Sequence, residues 1–212
     1  MMMRQKEHIL NIRTGGASMS ENNAVRLSEV IVFAGPNGSG KSTITQMAKV
    51  RGEYINADDI KRTTLCTELE AAVKAEELRE YMIQSKKDFT FETVLSTERN
   101  LILLQRAKEQ GYFVRGIYVL TANVDINVAR VQAREALGGH GVPEEKIRSR
   151  YDKALALIPR LVEVCDVLHI YDNTKEPFRI FKKRKDKYYH WNNQYWGNDD
   201  IERLSGIAEY VN

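Results

Sequence analysis

Short apolar runs rich in β-branched residues recur along the chain and alternate with longer amphipathic segments. The run at residues 29–34 ends in a glycine-rich turn, which is typical of a buried parallel strand. Four later runs predict further strands, at residues 53–56, 89–95, 112–120 and 166–171. Alternating strands and helices predict an α/β fold, and we expect a five-stranded parallel sheet with helices on both faces.

The segments between these runs lack the two-residue alternation of apolar and polar residues that marks a strand, and they are largely free of glycine and proline. They predict helices at residues 41–49, 67–87, 100–110, 124–137 and 144–164. Pro159 is expected to interrupt the last helix, because proline cannot donate a backbone hydrogen bond. A glycine-rich segment, residues 138–143, separates the last two helices.

Both ends of the chain depart from this alternation. Residues 1–28 are polar and methionine-rich, and they predict a flexible leader. Met1 and Met19 are both candidate starts of translation. Residues 29–175 are expected to form the core. In residues 176–212, two runs around a polar turn near Lys185 predict a β-hairpin, and a short helix is expected from Asp199, both packed on the core.

The turn after the first strand contains the sequence GxxxxGK[ST] between a strand and a helix, which is the context that a P-loop requires. Its glycines let the backbone curl so that N–H groups face a polyphosphate. Lys41 is expected to reach the β- and γ-phosphates, and the Ser42 hydroxyl to ligate Mg2+. The predicted nucleotide-binding residues are Gly35, Pro36, Asn37, Gly38, Ser39, Gly40, Lys41, Ser42 and Thr43. The alternative is an accidental glycine-rich turn.

The motif therefore predicts a three-layer P-loop NTPase fold that binds ATP or GTP with Mg2+. Composition adds little, since 42% hydrophobic residues, 29% charged residues and a net charge of +3 are ordinary for a soluble domain. The two cysteines have no metal-site spacing, and no apolar run is long enough to cross a bilayer. We expect a cytoplasmic protein with no membrane partner.

Two acidic positions are candidates for phosphoryl-transfer chemistry. Asp58 follows the second strand, which is expected to lie beside the P-loop strand, so it is predicted to be the general base. Its neighbour Asp59 is a candidate N-cap of a helix beginning at Ile60, and both aspartates could be merely caps or solvated turn residues. Glu92 lies within an apolar strand, where a carboxylate is costly unless it contacts a ligand, and Thr93 is expected to assist it in binding substrate.

Four arginines flank the glycine-rich segment 138–143, namely Arg130, Arg134, Arg148 and Arg150. An arginine-bearing segment that closes over ATP would neutralise charge on the transferred phosphoryl group, so residues 130–151 are predicted to form a helical lid. Arg130, Arg134 and Arg150 are the predicted catalytic arginines. The alternative for each arginine is a solvated helix face. His140 is expected to be a residue of the lid turn.

The tail carries a basic stretch, residues 182–185, followed by Lys187 and by the aromatic residues Tyr188, Tyr189 and Trp191. Such a stretch can bind nucleic acid by stacking and charge. A half-buried hairpin with one solvated face also explains it and is the favoured interpretation. The sequence therefore disfavours a nucleic-acid partner.

Several motifs occur in a fixed order over residues 30–173. They are the P-loop with Thr43, Ile55-Asn-Ala-Asp58, Phe91-Glu-Thr93, Arg130-Val-Gln-Ala-Arg134, Gly138-Gly-His140 with Val142-Pro143, and Arg150-Tyr151. Together they resemble the zeta-toxin-like family of P-loop kinases. The resemblance implies ATP-dependent phosphorylation of UDP-N-acetylglucosamine at the 3′-hydroxyl. It also implies that Asp58 is the base, that Glu92 positions the substrate, and that Arg130 with Arg148 or Arg150 clamps the γ-phosphate. The Gly-Gly-His lid is more similar to compact zeta-toxin-like ATPases than to the toxins.

Together these features predict a kinase that passes the γ-phosphoryl group of ATP to a hydroxyl of a small molecule, with a nucleotide sugar as one candidate. Two alternatives stay open. One is a regulatory or switch ATPase without a small-molecule acceptor, and the other is a nucleic-acid 5′-kinase that would need the basic tail. A protein antitoxin is compatible with the resemblance but has no signal in the sequence.

Overall fold

The computed structural model describes residues 26–211. Most of the predicted leader, including Met19, lies outside the described residues. The strands are β1 (Glu29–Ala34), β2 (Glu53–Ile55), β3 (Phe89–Thr93), β4 (Phe113–Leu120), β5 (Val167–Asp172), β6 (Phe178–Arg184) and β7 (Lys187–His190). The helices are α1 (Lys41–Met47), α2 (Ala57–Thr64), α3 (Glu68–Gln84), α4 (Arg99–Glu109), α5 (Val124–Ala136), α6 (Glu144–Ala156), α7 (Ile158–Val164) and α8 (Asn198–Ser205). The predicted α/β alternation is confirmed.

All strands of the described chain join one seven-stranded sheet in the order β2-β3-β1-β4-β5-β6-β7. Strands β1 to β5 are mutually parallel, whereas β6 and β7 are antiparallel to their neighbours. The five predicted parallel strands are present, but the sheet has seven strands and is mixed, because the predicted C-terminal hairpin joins it. A sheet that ended at β5 would leave the backbone N–H and C=O groups of its outer edge unpaired, and pairing with β6 satisfies them.

The strand order also corrects the expected neighbour of the P-loop strand. β3 pairs with β1, with Phe33 opposite Glu92, while β2 pairs only with β3. The carboxylate on the strand beside the P-loop is thus Glu92, and Asp58 follows a strand one place further out. Which of the two strands pairs with β1 depends on contacts between distant segments, which the local pattern of either strand does not determine.

Helix α2 begins earlier than the sequence predicts. Asn56 caps it, accepting a hydrogen bond from the Asp58 N–H at 2.9 Å, so Asp58 lies in the first helical turn. The suggestion that Asp59 caps a helix starting at Ile60 is wrong. An Asn in extended conformation provides the side-chain oxygen that the first turn needs.

The two faces of the sheet are covered unequally. The main core lies on one face, where helices α3, α4, α7 and α8 pack on residues such as Val32, Phe91 and Leu168. On the other face, a small cluster joins Ile31, Phe33, Ile117, Val119 and Tyr171 to Ile44 of α1.

Helices α5 and α6 pack on each other through Val128, Val131 and Ile147 and project from the carboxyl edge of the sheet. Residues 137–143 connect them, in the position where the sequence predicts a lid. Within residues 26–211, no helix has the length and hydropathy needed to cross a bilayer.

Candidate active site

A cleft of about 550 Å3 lies above the carboxyl ends of β1 and β3, where open α/β sheets usually bind ligands. It brings together most of the predicted site residues. Those that line it are Asn37, Gly38, Gly40, Lys41, Ser42, Thr43, Asp58, Glu92, Thr93, Arg130, Arg134, His140 and Arg150. Gly35, Pro36 and Ser39 lie beneath the loop surface as its buried base.

The P-loop is held closely by two asparagines that sequence reasoning missed. A Cβ atom on Gly38 would lie within 3.0 Å of three backbone atoms of Asn127, so only glycine fits. Asn127 donates to the Asn37 carbonyl at 2.5 Å, and its own amide oxygen accepts from the Thr121 hydroxyl. Asn127 is fully buried in α5 beside Val128 and Val131. A polar residue on the apolar stripe of an amphipathic helix was the available signal.

The second asparagine follows β5. Asn173 donates from its amide nitrogen to the Ser39 carbonyl at 2.8 Å and lies against Gly40, whose φ is +89°. Its backbone carbonyl accepts from the Arg130 guanidinium at 2.9 Å, and Thr174 accepts from the same group at 3.1 Å. Arg130, one of the predicted catalytic arginines, therefore binds the same loop that contacts the P-loop backbone. A lone asparagine in a loop belongs to no motif, so no sequence signal pointed to it.

Lys41 begins α1 at the floor of the cleft. Its ammonium donates to the Pro36 carbonyl at 3.0 Å, which points the side chain back over the loop. Burial lowers the pKa of Lys41 to about 8, while the carboxylates of Glu92 and Asp58 oppose that shift. A cation held in a desolvated loop of N–H groups binds a polyphosphate strongly once phosphate replaces water.

Glu92 stands opposite the P-loop helix. One of its carboxylate oxygens accepts from the Ser42 hydroxyl at 3.0 Å, and the other accepts from the Tyr54 hydroxyl at 2.8 Å. The amide of Asn56 donates to Tyr54 at 3.1 Å. Burial raises the pKa of Tyr54, so this phenol stays protonated and continues to donate.

These contacts form a chain from Ser42 through Glu92 and Tyr54 to Asn56, the cap of the helix that bears Asp58. Sequence reasoning missed Tyr54 and Asn56. The hydroxyl and carboxylate oxygens of Ser42 and Glu92 are the donor types that Mg2+ prefers, and they meet beside the phosphate loop. The residues present therefore fit a magnesium ion.

The two candidate aspartates are neighbours in the first turn of α2 but have different surroundings. Asp58 is exposed and lines the cleft, whereas Asp59 forms an ion pair with Arg62 at 2.8 Å and is not among the lining residues. Thr93 lines the cleft, but its hydroxyl accepts from the Leu95 N–H at 3.0 Å and from the Asn100 amide at 2.7 Å. Its hydroxyl is therefore used to shape the turn after β3.

The four lid arginines differ in position. Arg130, Arg134 and Arg150 line the cleft. Arg148 instead forms ion pairs with Asp125 at 2.7 Å and Glu144 at 2.9 Å on the outside of the α5–α6 pair. Three arginines thus converge on the space above Lys41, and the fourth stabilises the helical hairpin.

The loop of residues 137–143, part of the predicted lid, also contacts the opposite wall of the cleft. Arg134 donates to the His140 carbonyl at 2.7 Å, and the His140 ring lies 3.5 Å from the Glu68 carboxylate at the start of α3. Lys61 donates to the same carboxylate at 3.1 Å. Lys61 and His140 lower the pKa of Glu68, with Lys61 contributing most. These exposed polar contacts close the cleft on its outer side.

The sequence of this chain also matches known proteins. A sequence model described as zeta toxin matches residues 53–193. The matched range starts after the P-loop, so it is independent of the motif that binds phosphate. A protein of Haemophilus influenzae described as uncharacterized is 29% identical over 133 residues, which are 60% of this chain and 95% of that protein.

Solved structures agree on the fold. A structure from the PezAT chromosomal toxin–antitoxin system of Streptococcus pneumoniae has a TM-score of 0.50 and 16% identity, covering 84% of this chain and 78% of its own. The AvrRxo1-ORF1:AvrRxo1-ORF2 complex has a chain with a TM-score of 0.64 and 14% identity, covering 96% and 72%. The same complex solved with ATP has a TM-score of 0.58 and 13% identity, covering 85% and 64%.

Proposed function

This chain belongs to the zeta toxin family, and on that premise we propose that it is an ATP-dependent kinase that transfers the γ-phosphoryl group to a hydroxyl of a small molecule. The observation that carries the proposal is that one cleft contains the P-loop lysine, an exposed aspartate and three arginines. A P-loop alone serves binding or hydrolysis, whereas a carboxylate facing the phosphate site provides a base for an acceptor.

In the proposed reaction, the P-loop amides and Lys41 hold the β- and γ-phosphates of ATP. Asp58 accepts the proton of the acceptor hydroxyl as its oxygen attacks the γ-phosphorus. Arg134 and Arg150 stabilise the charge on the transferred group. Arg130 also contributes to this stabilisation, and it keeps its hydrogen bond to the Asn173 carbonyl. The complex that was solved with ATP has a similar fold, which supports ATP as the donor.

Magnesium would be held by Ser42 and Glu92, where it would neutralise charge between the β- and γ-phosphates. Glu92 thus has a role next to the metal, in addition to the substrate-positioning role that the family resemblance implies. Tyr54 keeps this carboxylate oriented.

For the acceptor, we propose a nucleotide sugar such as UDP-N-acetylglucosamine, with Glu92 and Thr93 on its side of the cleft. The support is family membership together with the charged wall formed by Lys61, Glu68 and His140, which offers polar partners to a sugar or a diphosphate. A protein partner is a further expectation, since the PezAT structure belongs to a toxin–antitoxin system.

The experiment is ADP release from Mg-ATP in the presence and absence of a panel of UDP-sugars. We expect acceptor-dependent turnover that Asp58→Asn lowers by about 10²- to 10⁴-fold, as for loss of a general base. The matched control is Asp59→Asn, which changes the same charge one residue away but outside the cleft. It should keep nearly full activity.

Two outcomes would contradict the proposal. Phosphorylation that survives Asp58→Asn at nearly the wild-type rate would exclude this residue as the base. Slow ADP release that no acceptor stimulates would favour the switch-ATPase alternative.

A further inference from the structure

On the sheet face that α1 covers, the half formed by β5, β6 and β7 has no helix packed on it among the described residues. Strand register places five side chains in a row across the sheet, in the order Phe33, Ile117, His169, Lys182 and Tyr189. The first two lie in the cluster under α1, the one helix that contributes to it among the described residues. Towards β7 the row changes from apolar to cationic and aromatic.

The burial of β5 shows where the cover ends. Leu168 and Ile170, which face the main core, are buried, whereas Val167 and His169 on the opposite face are partly exposed. A parallel strand covered on both sides would bury all four. The surface formed by β5, β6 and β7 on this side is hereafter called the open face.

Cations on the open face lack carboxylate partners. Within residues 26–211, Arg179, Lys182, Arg184 and Lys187 form no salt bridge, although nine other arginines of this range do. Burial and the neighbouring charges of Arg179 and Arg184 lower the pKa of Lys182. The charge is thus concentrated and uncompensated, which favours a polyanion as partner.

Aromatic rings lie among these cations. Tyr189 and Trp191 have nearly parallel rings, with an interplanar angle of 13° and centroids 6.3 Å apart. The Arg179 guanidinium lies 4.4 Å from the Trp191 centroid, and the Lys182 ammonium lies 5.4 Å from that of Tyr189. Alternate residues of a strand repeat at about 6.7 Å, close to the spacing of successive bases in an extended single strand.

We propose that the open face binds single-stranded nucleic acid, with the four cations contacting phosphates and with Tyr189 and Trp191 stacking on bases. An acidic peptide would satisfy the charges but would not use the parallel rings. The interpretation favoured from sequence, a solvated hairpin face, does not explain why four cations without carboxylate partners lie together, whereas nine arginines elsewhere in residues 26–211 form salt bridges.

The test is fluorescence anisotropy of a labelled 12-nucleotide oligo(U) with the full chain. Four phosphate contacts predict that the logarithm of affinity falls against the logarithm of salt with a slope of about −3. Lys182→Ala with Arg184→Ala should reduce that slope by about 1.4, and Trp191→Ala should weaken binding about tenfold. The matched control is Lys74→Ala with Lys153→Ala, two exposed cations on helices.

Intrinsic fluorescence tests the stacking separately. Bound bases should quench exposed Trp191, while Trp196 is buried and should stay unquenched. Trp191→Phe should remove the quench and keep most of the affinity. Circular dichroism melting of each variant verifies that it is folded.

Three results would overturn the proposal. They are equal loss of binding in the Lys74/Lys153 control, equal binding of inorganic polyphosphate without quenching, and displacement of the oligonucleotide by Mg-ATP. The last would place the strand in the cleft and favour a nucleic-acid kinase, a result independent of the UDP-sugar assay.

Discussion

The two sides of the cleft are built differently. On the phosphate side, the P-loop lies against buried Asn127 and partly buried Asn173, which contact its backbone directly. On the side where we propose that the acceptor binds, hereafter the acceptor side, Asp58 is exposed, and the loop of the predicted lid reaches α3 through the exposed pair of His140 and Glu68. The phosphate side is fixed by packing, whereas the acceptor side is joined by polar contacts that water can replace.

This difference separates two requirements of phosphoryl transfer. Phosphates of ATP are the same in every kinase, so a rigid, prearranged cradle serves them. An acceptor must enter and leave, and lids that close over substrate are held by few and weak contacts. We therefore expect changes on the phosphate side to have large effects and changes on the acceptor side to have smaller ones.

The largest expected effect distinguishes two glycines, one on each side of the cleft. Gly38 and Gly138 have nearly the same left-handed backbone, with φ of +77° and +81°, but only Gly38 has neighbours that a Cβ atom would meet. Gly38→Ala should weaken ATP binding at least about 100-fold, because the loop must shift away from Asn127. Gly138→Ala should cost about 1 kcal/mol of stability and change the Kd for ATP less than twofold.

Isothermal titration with ATP and thermal unfolding measure both variants. Because backbone strain is the same in the two, the difference between them reports packing alone. Equal losses of ATP affinity would mean that the P-loop is no more constrained than the lid.

Much of the fold follows from local sequence patterns. Every predicted strand and helix has a counterpart near its expected position, because periodicity and glycine or proline breaks are local signals. Strand order is not local. The positions of β2 and β3, and the joining of the hairpin to β5, depend on which edges pair after the chain has collapsed.

The site divides in the same way. The P-loop and Glu92 were found because a motif and a charge within an apolar strand are visible in sequence. Asn127, Asn173 and Tyr54 act through partners 90, 134 and 38 residues away. Asn173 and Tyr54 are single polar residues with distant partners, and they leave no spacing that a sequence pattern could reveal. Asn127 was detectable only as a polar residue on the apolar stripe of α5.

The titration of Lys41 tests the phosphate side, and its expected effect on the Kd for ATP is intermediate. Its pKa of about 8 in the free protein means that the ammonium loses its proton as pH rises through 8, whereas bound phosphates favour the charged form. The Kd for ATP should therefore rise about tenfold between pH 7 and pH 9. Lys41→Arg keeps its charge in this range, so its Kd should stay flat. The idea fails if both proteins show the same pH dependence.

Tyr54→Phe probes the contact between the two sides and has the smallest expected effect. It removes the hydroxyl that joins Glu92 to Asn56, at a partly exposed position where water can take over both hydrogen bonds. The loss should be about 1 kcal/mol, seen as a roughly fivefold drop in kcat/KM and a higher Mg2+ concentration for half-maximal rate. Tyr81→Phe, which removes an exposed hydroxyl bonded to Lys87, is the control. An unchanged Mg2+ requirement in Tyr54→Phe would mean that the Ser42–Glu92 contact is fixed by β1–β3 pairing alone. The acceptor side would then be independent of the phosphate side.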